Sequence, residues 1–308
     1  MRYAIIDLGT NTFNLLVAEK GNNESINIVE EIKLPVKLGE GGITRKIITP
    51  EAWDRGISAI ASHVNTAKQF NSEKIIAYAT SATRNAANGA DFVDQIFRQF
   101  GVKVNVIDGK SEAEFIYYGV RQAFELGEKT NLIMDIGGGS NELILANSKQ
   151  IFWMQSFDLG VSRLLHTFHP SDPIKAEEID KIESHFRKEL MPFFNALNDF
   201  RPVSLVGSSG SFDTYRNMLA KKGIIPDTKN HSVEIPINEY FQLHQEFIKS
   251  TRDERLQMNG LEPMRIDFIV MASLFTYYIL DKTGINKMYQ SDFALKEGAL
   301  WKLLYSSN

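Results

Sequence analysis

The 308-residue chain contains no cysteine, so disulfides, thiolate metal ligands and thiol nucleophiles are all excluded. Its longest apolar stretch, "FIVMASLFTYYIL" from Phe268 to Leu280, falls short of the ~20 residues that a membrane-spanning helix needs. No basic leader with a cleavage site precedes "RYAIIDLG", which reads directly as a strand, so a cytoplasmic protein with no membrane partner is expected. Positive charge is also in short supply: 34 Lys and Arg stand against 38 Asp and Glu, a net charge of -4. That argues against a nucleic-acid partner, which would require a basic face. An anionic ligand would have to be gripped by local donors rather than by a bulk field. Low-complexity tracts are missing too, and a hydrophobic fraction of 43% over this length supplies cores for two ordinary domains.

What the chain does contain is a repeated phrase. "DLGTNTFNLLVA" (Asp7 to Ala18) returns as "DIGGGSNELILA" (Asp135 to Ala146), 128 positions later, and "ATSAT" (Ala79 to Thr83) returns as "GSSGS" (Gly207 to Ser211) at the same offset. Two matches at one spacing point to a duplicated domain.

The elements follow from periodicity and punctuation. "YAIIDLG" and "NLLVAEKG" read as a hairpin, and "SINIVEEIKLPVKLGEGG" as a third strand and a glycine-rich loop. Thr49 and Pro50 open a helix as N-cap and first-turn residue, and Gly101 ends another. Ser111 and Glu114 form the pattern of a capping box. The second half repeats the programme: a hairpin, a third strand, one long helix over "AEEIDKIESHFRKELMPFFNAL", a strand and turn at "VSLVGSSGS", and a closing strand and helix. Strands and helices in this rhythm predict an α/β fold of two related domains, 1–125 and 126–308, joined near Leu126 to Asn131, with a ligand cleft between them.

Three patterns carry chemistry. Gly137, Gly138 and Gly139 allow backbone N–H groups to converge on one point, a geometry that cradles phosphate oxygens. The acid before each turn, Asp7 or Asp135, cannot hold phosphate but can hold a cation or water that does. The plain alternative is a pair of tight hairpins, weakened by their occurring twice. "ATSATRN" ends a strand with hydroxyls from Thr80, Ser81 and Thr83 and the forked donor Arg84, or is simply a capped helix start. Glu112 and Glu114 suit a helix N-terminus, so spacing alone leaves catalysis by Glu112 and dipole complementation both open. His166 and His169 have no further metal-type partner nearby in sequence.

In order along the chain, "DLGTN", "ATSATR", "DGKSEAEFIYYGV" and "DIGGGSNEL" closely resemble the motifs of the exopolyphosphatase / guanosine pentaphosphate phosphohydrolase (Ppx/GppA) family, with weaker matches at "GVSRL", "GSSGS" and "LKEG". The resemblance implies the duplicated fold of the actin, sugar-kinase and heat-shock-chaperone ATPase superfamily (ribonuclease H-like), with one phosphate hairpin from each half. It implies that a final helix, about 293–308, packs back on the first domain. It further implies hydrolysis of the terminal phosphoanhydride of polyphosphate or guanosine pentaphosphate with Mg²⁺ or Mn²⁺, in a homodimer. Family roles then fall on Glu112 as the base that activates water, and on Asp135 and Glu142 around the metal, with Asp7 opposite. Arg84, Ser81, Asn11, Thr12, Gly137, Gly138, Gly139 and Ser140 take the phosphate-binding positions. The chain departs from the family pattern at Ser111, Asn14, Asn141, Ala272 and Lys296, and in a "GSSGS" one glycine short.

These residues together predict a metal-assisted phosphohydrolase. A kinase of the same superfamily and a non-catalytic polyphosphate or alarmone sensor are the alternatives. A helix-start Glu112 is expected to stay ionised and so to accept a proton from water.

Overall fold

The computed structural model describes residues 1–305. In the first half, β1 (Arg2–Leu8), β2 (Thr12–Lys20), β3 (Ile26–Pro35), β4 (Lys74–Ala79) and β5 (Val104–Val106) form one sheet in the order β3-β2-β1-β4-β5. Its helices are α1 (Pro50–Gln69), α2 (Ser81–Asn85), α3 (Gly89–Phe100) and α4 (Gly109–Ala123). In the second half, β6 (Asn131–Ile136), β7 (Asn141–Ala146), β8 (Ile151–Phe157), β9 (Leu205–Ser208), β10 (Ser232–Ile235) and β11 (Met288–Ser291) pair in the order β10-β11-β9-β6-β7-β8. Its helices are α5 (Val161–Phe168), α6 (Ala176–Glu189), α7 (Met191–Ala196), α8 (Gly210–Lys221), α9 (Ile237–Lys249), α10 (Arg252–Leu256), α11 (Ile269–Thr283) and α12 (Leu295–Tyr305). The final three residues of the expected 293–308 helix lie outside the described residues. No helix among the described residues is long and apolar enough to cross a membrane.

The repeat is visible in the backbone. Each half opens with an antiparallel hairpin, adds a third antiparallel strand, then returns through a strand parallel to the first. The second and third strands slip register between Val17 and Ala18 in one half, and between Leu145 and Ala146 in the other. These are equivalent positions of the repeated phrase, so the two halves share even their β-bulge. The later match is looser than its spacing implied. Tyr78 pairs with Asp7 and Ser208 with Asp135, which places the structural equivalents 130 apart rather than 128.

Two local expectations give way. The single long helix of the second half breaks at Leu190 into α6 and α7, because Pro192 has no N–H and its ring crowds the carbonyl one turn back. Ser111 is not an N-cap. Asp108 comes first and accepts from Ser111 N–H at 2.7 Å, while Glu114 pairs with Lys302 of α12 at 2.7 Å.

Two helices join the halves. From α4, Ala113, Ile116, Tyr117 and Val120 pack on Ile133, Ile144, Ala146 and Val206 of the second sheet. From the other end of the chain, Ala299 and Leu300 of α12, with Phe293, cover Ile5, Leu16 and Ala18 of the first sheet. Each sheet is therefore covered partly by a helix from the other half of the sequence, and the two helices lie against each other. They can do so because Gly298 and Gly119 meet backbone: a Cβ on Gly298 would lie 1.7 Å from the Phe115 carbonyl oxygen, and one on Gly119 would lie 1.9 Å from that of Ala294. Gly298→Val is expected to lower unfolding free energy by about 3 kcal/mol, the upper range for forced overpacking. A denaturant midpoint close to wild type would refute this reading of the crossing.

Candidate active site

The two hairpin turns meet across the cleft. A Cβ on Gly138 would sit 2.8 Å from Asn11 Nδ2, and one on Gly139 would sit 2.5 Å from Ser81 Oγ. Only glycine permits the turn of one half to come this near the other. Asn11 Oδ1 accepts from Ser162 Oγ at 2.6 Å, and Arg163 Nε donates to the Gly139 carbonyl at 2.9 Å. Asn11 Nδ2 is buried and has no hydrogen-bond partner, an unpaired amide donor where the two turns meet.

Behind these turns lies a cavity of about 370 Å³. Asp7, Asn11, Thr12, Ser81, Glu112, Asp135 and the run Gly137 to Ser140 all border it, brought together from β1, β2, α2, α4, β6 and the turns. Two residues that the sequence reading placed with them do not. Arg84 was expected to bind phosphate, yet its Nη1 is occupied by Glu112 Oε2 and the Ile107 carbonyl oxygen, each at 2.8 Å. A buried carboxylate within reach captures that donor first. Glu142 lies behind the cavity wall beside Asp135, its strand partner, and accepts from Ser156 Oγ at 2.6 Å.

The site is crowded with acids. Burial pushes Glu112 up to about 7, opposed by the Arg84 ion pair. Glu112 is therefore not the ordinary ionised helix-start acid expected, since burial raises it more than the Arg84 ion pair lowers it. Burial likewise raises Asp7 to about 6 against its Asn14 hydrogen bond, and raises Asp135 against hydroxyl bonds from Ser208 and Ser209. Glu142 is raised as well, by burial and then by the charges of Glu112 and Asp135.

Such a set of oxygen donors fits a hard divalent cation, which would offset the mutual repulsion. Among the described residues no three His, Asp or Glu side chains form a group that could hold a metal alone. Asp7, Asp135 and Glu142 thus do not make a ready-built trio. The fit is to Mg²⁺ or Mn²⁺ taken by one or two carboxylates and completed by waters and a substrate phosphate, the usual habit of Mg²⁺.

The cations of the cavity are not legible in the sequence as ligand-facing groups. Lys33 borders it from the first half, and Lys296 and Arg265 from the second. Burial lowers Lys33 and Arg265, whereas Lys296, which burial alone would lower, is raised overall by Glu297 and Glu31. Arg265 Nε is buried without a hydrogen-bond partner, with Glu262 Oε2 3.9 Å away. Lys296 was visible only as a departure within "LKEG". Lys33, on an edge strand, and Arg265, in the 3₁₀ turn Pro263–Arg265, carry no local signature of a site.

Comparison with known proteins gives consistent matches. The model of the Ppx/GppA phosphatase family matches residues 16–307. The crystal structure of an exopolyphosphatase from Cytophaga hutchinsonii superposes with a TM-score of 0.96 at 35% identity, covering 100% of this chain and 99% of that one. A curated Haemophilus influenzae protein whose name carries the word exopolyphosphatase is 28% identical over 301 residues, 97% of this chain and 90% of its own length. The bifunctional 3-dehydroquinate synthase/phosphatase of Fusobacterium nucleatum is 31% identical over 293 residues, 91% of this chain but 43% of that longer protein.

Proposed function

Because the chain belongs to the Ppx/GppA phosphatase family, we propose that it releases orthophosphate from the end of inorganic polyphosphate by attack of water. The observation that supports this most is the position of Glu112. It is a buried carboxylate bordering the cavity opposite two phosphate-type turns, with its proton affinity raised to about 7. Arg84 holds Oε2 at 2.8 Å, and no donor among the described residues occupies Oε1. That oxygen is left to orient a water and take its proton, and an acceptor poised near neutral pH suits general-base work.

Chain donors hold the reacting group. Backbone N–H groups of Gly137 to Ser140, Asn11 Nδ2 and the hydroxyls of Thr12 and Ser81 would surround the oxygens of the terminal phosphoryl group. Asp135, with Asp7 across the cleft, would hold the divalent cation, which when bound supplies Lewis-acid stabilisation of the charge on those oxygens. The water oxygen forms the new bond to phosphorus as the bridging bond on the opposite side breaks, releasing orthophosphate and a shortened chain. With a loose transition state, alignment by these donors contributes more than the strength of the base.

The proposal takes polyphosphate in preference to guanosine pentaphosphate on the lining of the cavity. Lys33, Lys296 and Arg265 border it, and among the described residues no aromatic side chain does so to stack a base. The homodimer and the cytoplasmic setting implied by the resemblance belong to the same proposal, and light scattering tests the first. Protein with Mg²⁺ is incubated separately with long-chain polyphosphate, guanosine pentaphosphate, or ATP and candidate acceptors, and free phosphate is followed. Phosphate is expected from polyphosphate at the highest rate. Transfer from ATP to an acceptor without release from polyphosphate would replace the proposal with a kinase, and tight polyphosphate binding without release would replace it with a sensor.

A further inference from the structure

At the end of β9 the chain turns into α8 through Ser208, Ser209 and Gly210. Ser209 has φ 69° and ψ 175°, a region essentially confined to glycine because an L side chain collides with its own backbone there. None of the other non-glycine residues with positive φ borders the cavity, but Ser209 does. It also occupies the N-cap position of α8, where serine ordinarily bonds the exposed N–H groups of the first turn. Here it makes no such bond. Its hydroxyl instead donates to Asp135 Oδ2 at 2.7 Å, and the Ser208 hydroxyl donates to the same oxygen at 2.6 Å. No donor among the described residues falls on Oδ1.

A glycine would adopt this turn without strain, so the shape of the turn does not explain a serine. What glycine cannot supply is the hydroxyl. We propose that Ser209 is a positioning residue: together with Ser208 it saturates one oxygen of Asp135 and leaves the other directed to the cavity. This orients the carboxylate that would hold the divalent cation. The inference rests on the phosphohydrolase reading of the cleft. It assigns to "GSSGS" a role opposite to that of a weakened glycine turn, in which strain is retained for the sake of one hydrogen bond.

Two variants separate the roles of strain and hydroxyl. Ser209→Gly relieves the strain and removes the bond, so it is expected to melt above wild type. Ser209→Ala keeps the strain and is expected to melt below it. Both should lower kcat and raise the Mg²⁺ concentration for half-maximal rate by about tenfold, the lower end for groups that orient a metal ligand. KM for polyphosphate should stay within about twofold, because the phosphate turns are untouched. Mn²⁺ affinity measured by electron paramagnetic resonance without substrate should fall by a similar factor. A Ser209→Gly protein with wild-type kcat and wild-type Mn²⁺ affinity overturns the proposal. If the wild type releases no phosphate, the hydrolase reading fails instead. The role of Ser209 is then decided by Mn²⁺ alone, and equal affinities in wild type and Ser209→Gly overturn it.

Discussion

Glu112→Gln should cut kcat by roughly 10²- to 10⁴-fold, the span associated with one general acid–base group. The amide has the same shape and can still accept from Arg84, so the cavity and its phosphate donors should persist and KM should change little. The pH profile gives a second signature. Glu112 works as a base only when ionised, and burial places its proton loss at about 7. Wild-type kcat should therefore rise with pH through that value, and the variant should lack this limb. Glu114→Gln is the control. Its partner Lys302 lies at 2.7 Å but both side chains are about one-third exposed, so the loss should be ~1 kcal/mol of stability or less, with normal turnover. Near wild-type turnover in Glu112→Gln, with the rise through about pH 7 intact, would move the base to another carboxylate.

Removal of divalent cations should have an effect at least as large. Phosphate release should stop in EDTA and return with Mg²⁺ or Mn²⁺. Asp7, Glu112, Asp135 and Glu142 all sit where burial disfavours their charge, so a cation that neutralises part of this set should also stabilise the fold. The melting temperature at pH 8 should accordingly rise with Mg²⁺ concentration, as for any ligand that binds the native state alone. Asp135→Asn should lose most of both responses. A protein that turns over at full rate in metal-free buffer, with a melting temperature indifferent to Mg²⁺, would sink the assignment of Asp135 and Asp7.

The parts of the site that could be read from sequence are those built within a single turn. The pairs Asp7 with Asp135 and Thr12 with Ser140 announce the two hairpins, because a phosphate turn needs only a few consecutive residues after a strand. Glu112 could not be separated from a helix-start acid by spacing, since what sets it apart is burial between the two halves. The Arg84–Glu112 pair joins α2 to α4 at 2.8 Å, and nothing local distinguishes an arginine that binds phosphate from one that binds a carboxylate. Lys33, Arg265 and Lys296 reach one cavity from an edge strand, a 3₁₀ turn and the final helix, a convergence set by tertiary packing alone. The break between α6 and α7 was legible in principle, because Pro192 already stood in the pattern.

The exchange of α4 and α12 between the two halves bears on how the protein is made. During synthesis the first sheet emerges early, yet the face formed by Ile5, Leu16 and Ala18 is covered by Phe293, Ala299 and Leu300. That face lacks the part of its cover that comes from α12 until the second sheet has been translated. Meanwhile α4 has its own docking surface, around Ile133, Ile144 and Val206, only after β6, β7 and β9 are complete. The halves are thus duplicated in pattern but share their covering helices, and α12 can be seated across Gly119 only after the second half has been made. A nascent chain stalled before α12 presents an uncovered apolar sheet, the kind of surface that chaperones hold and proteases find.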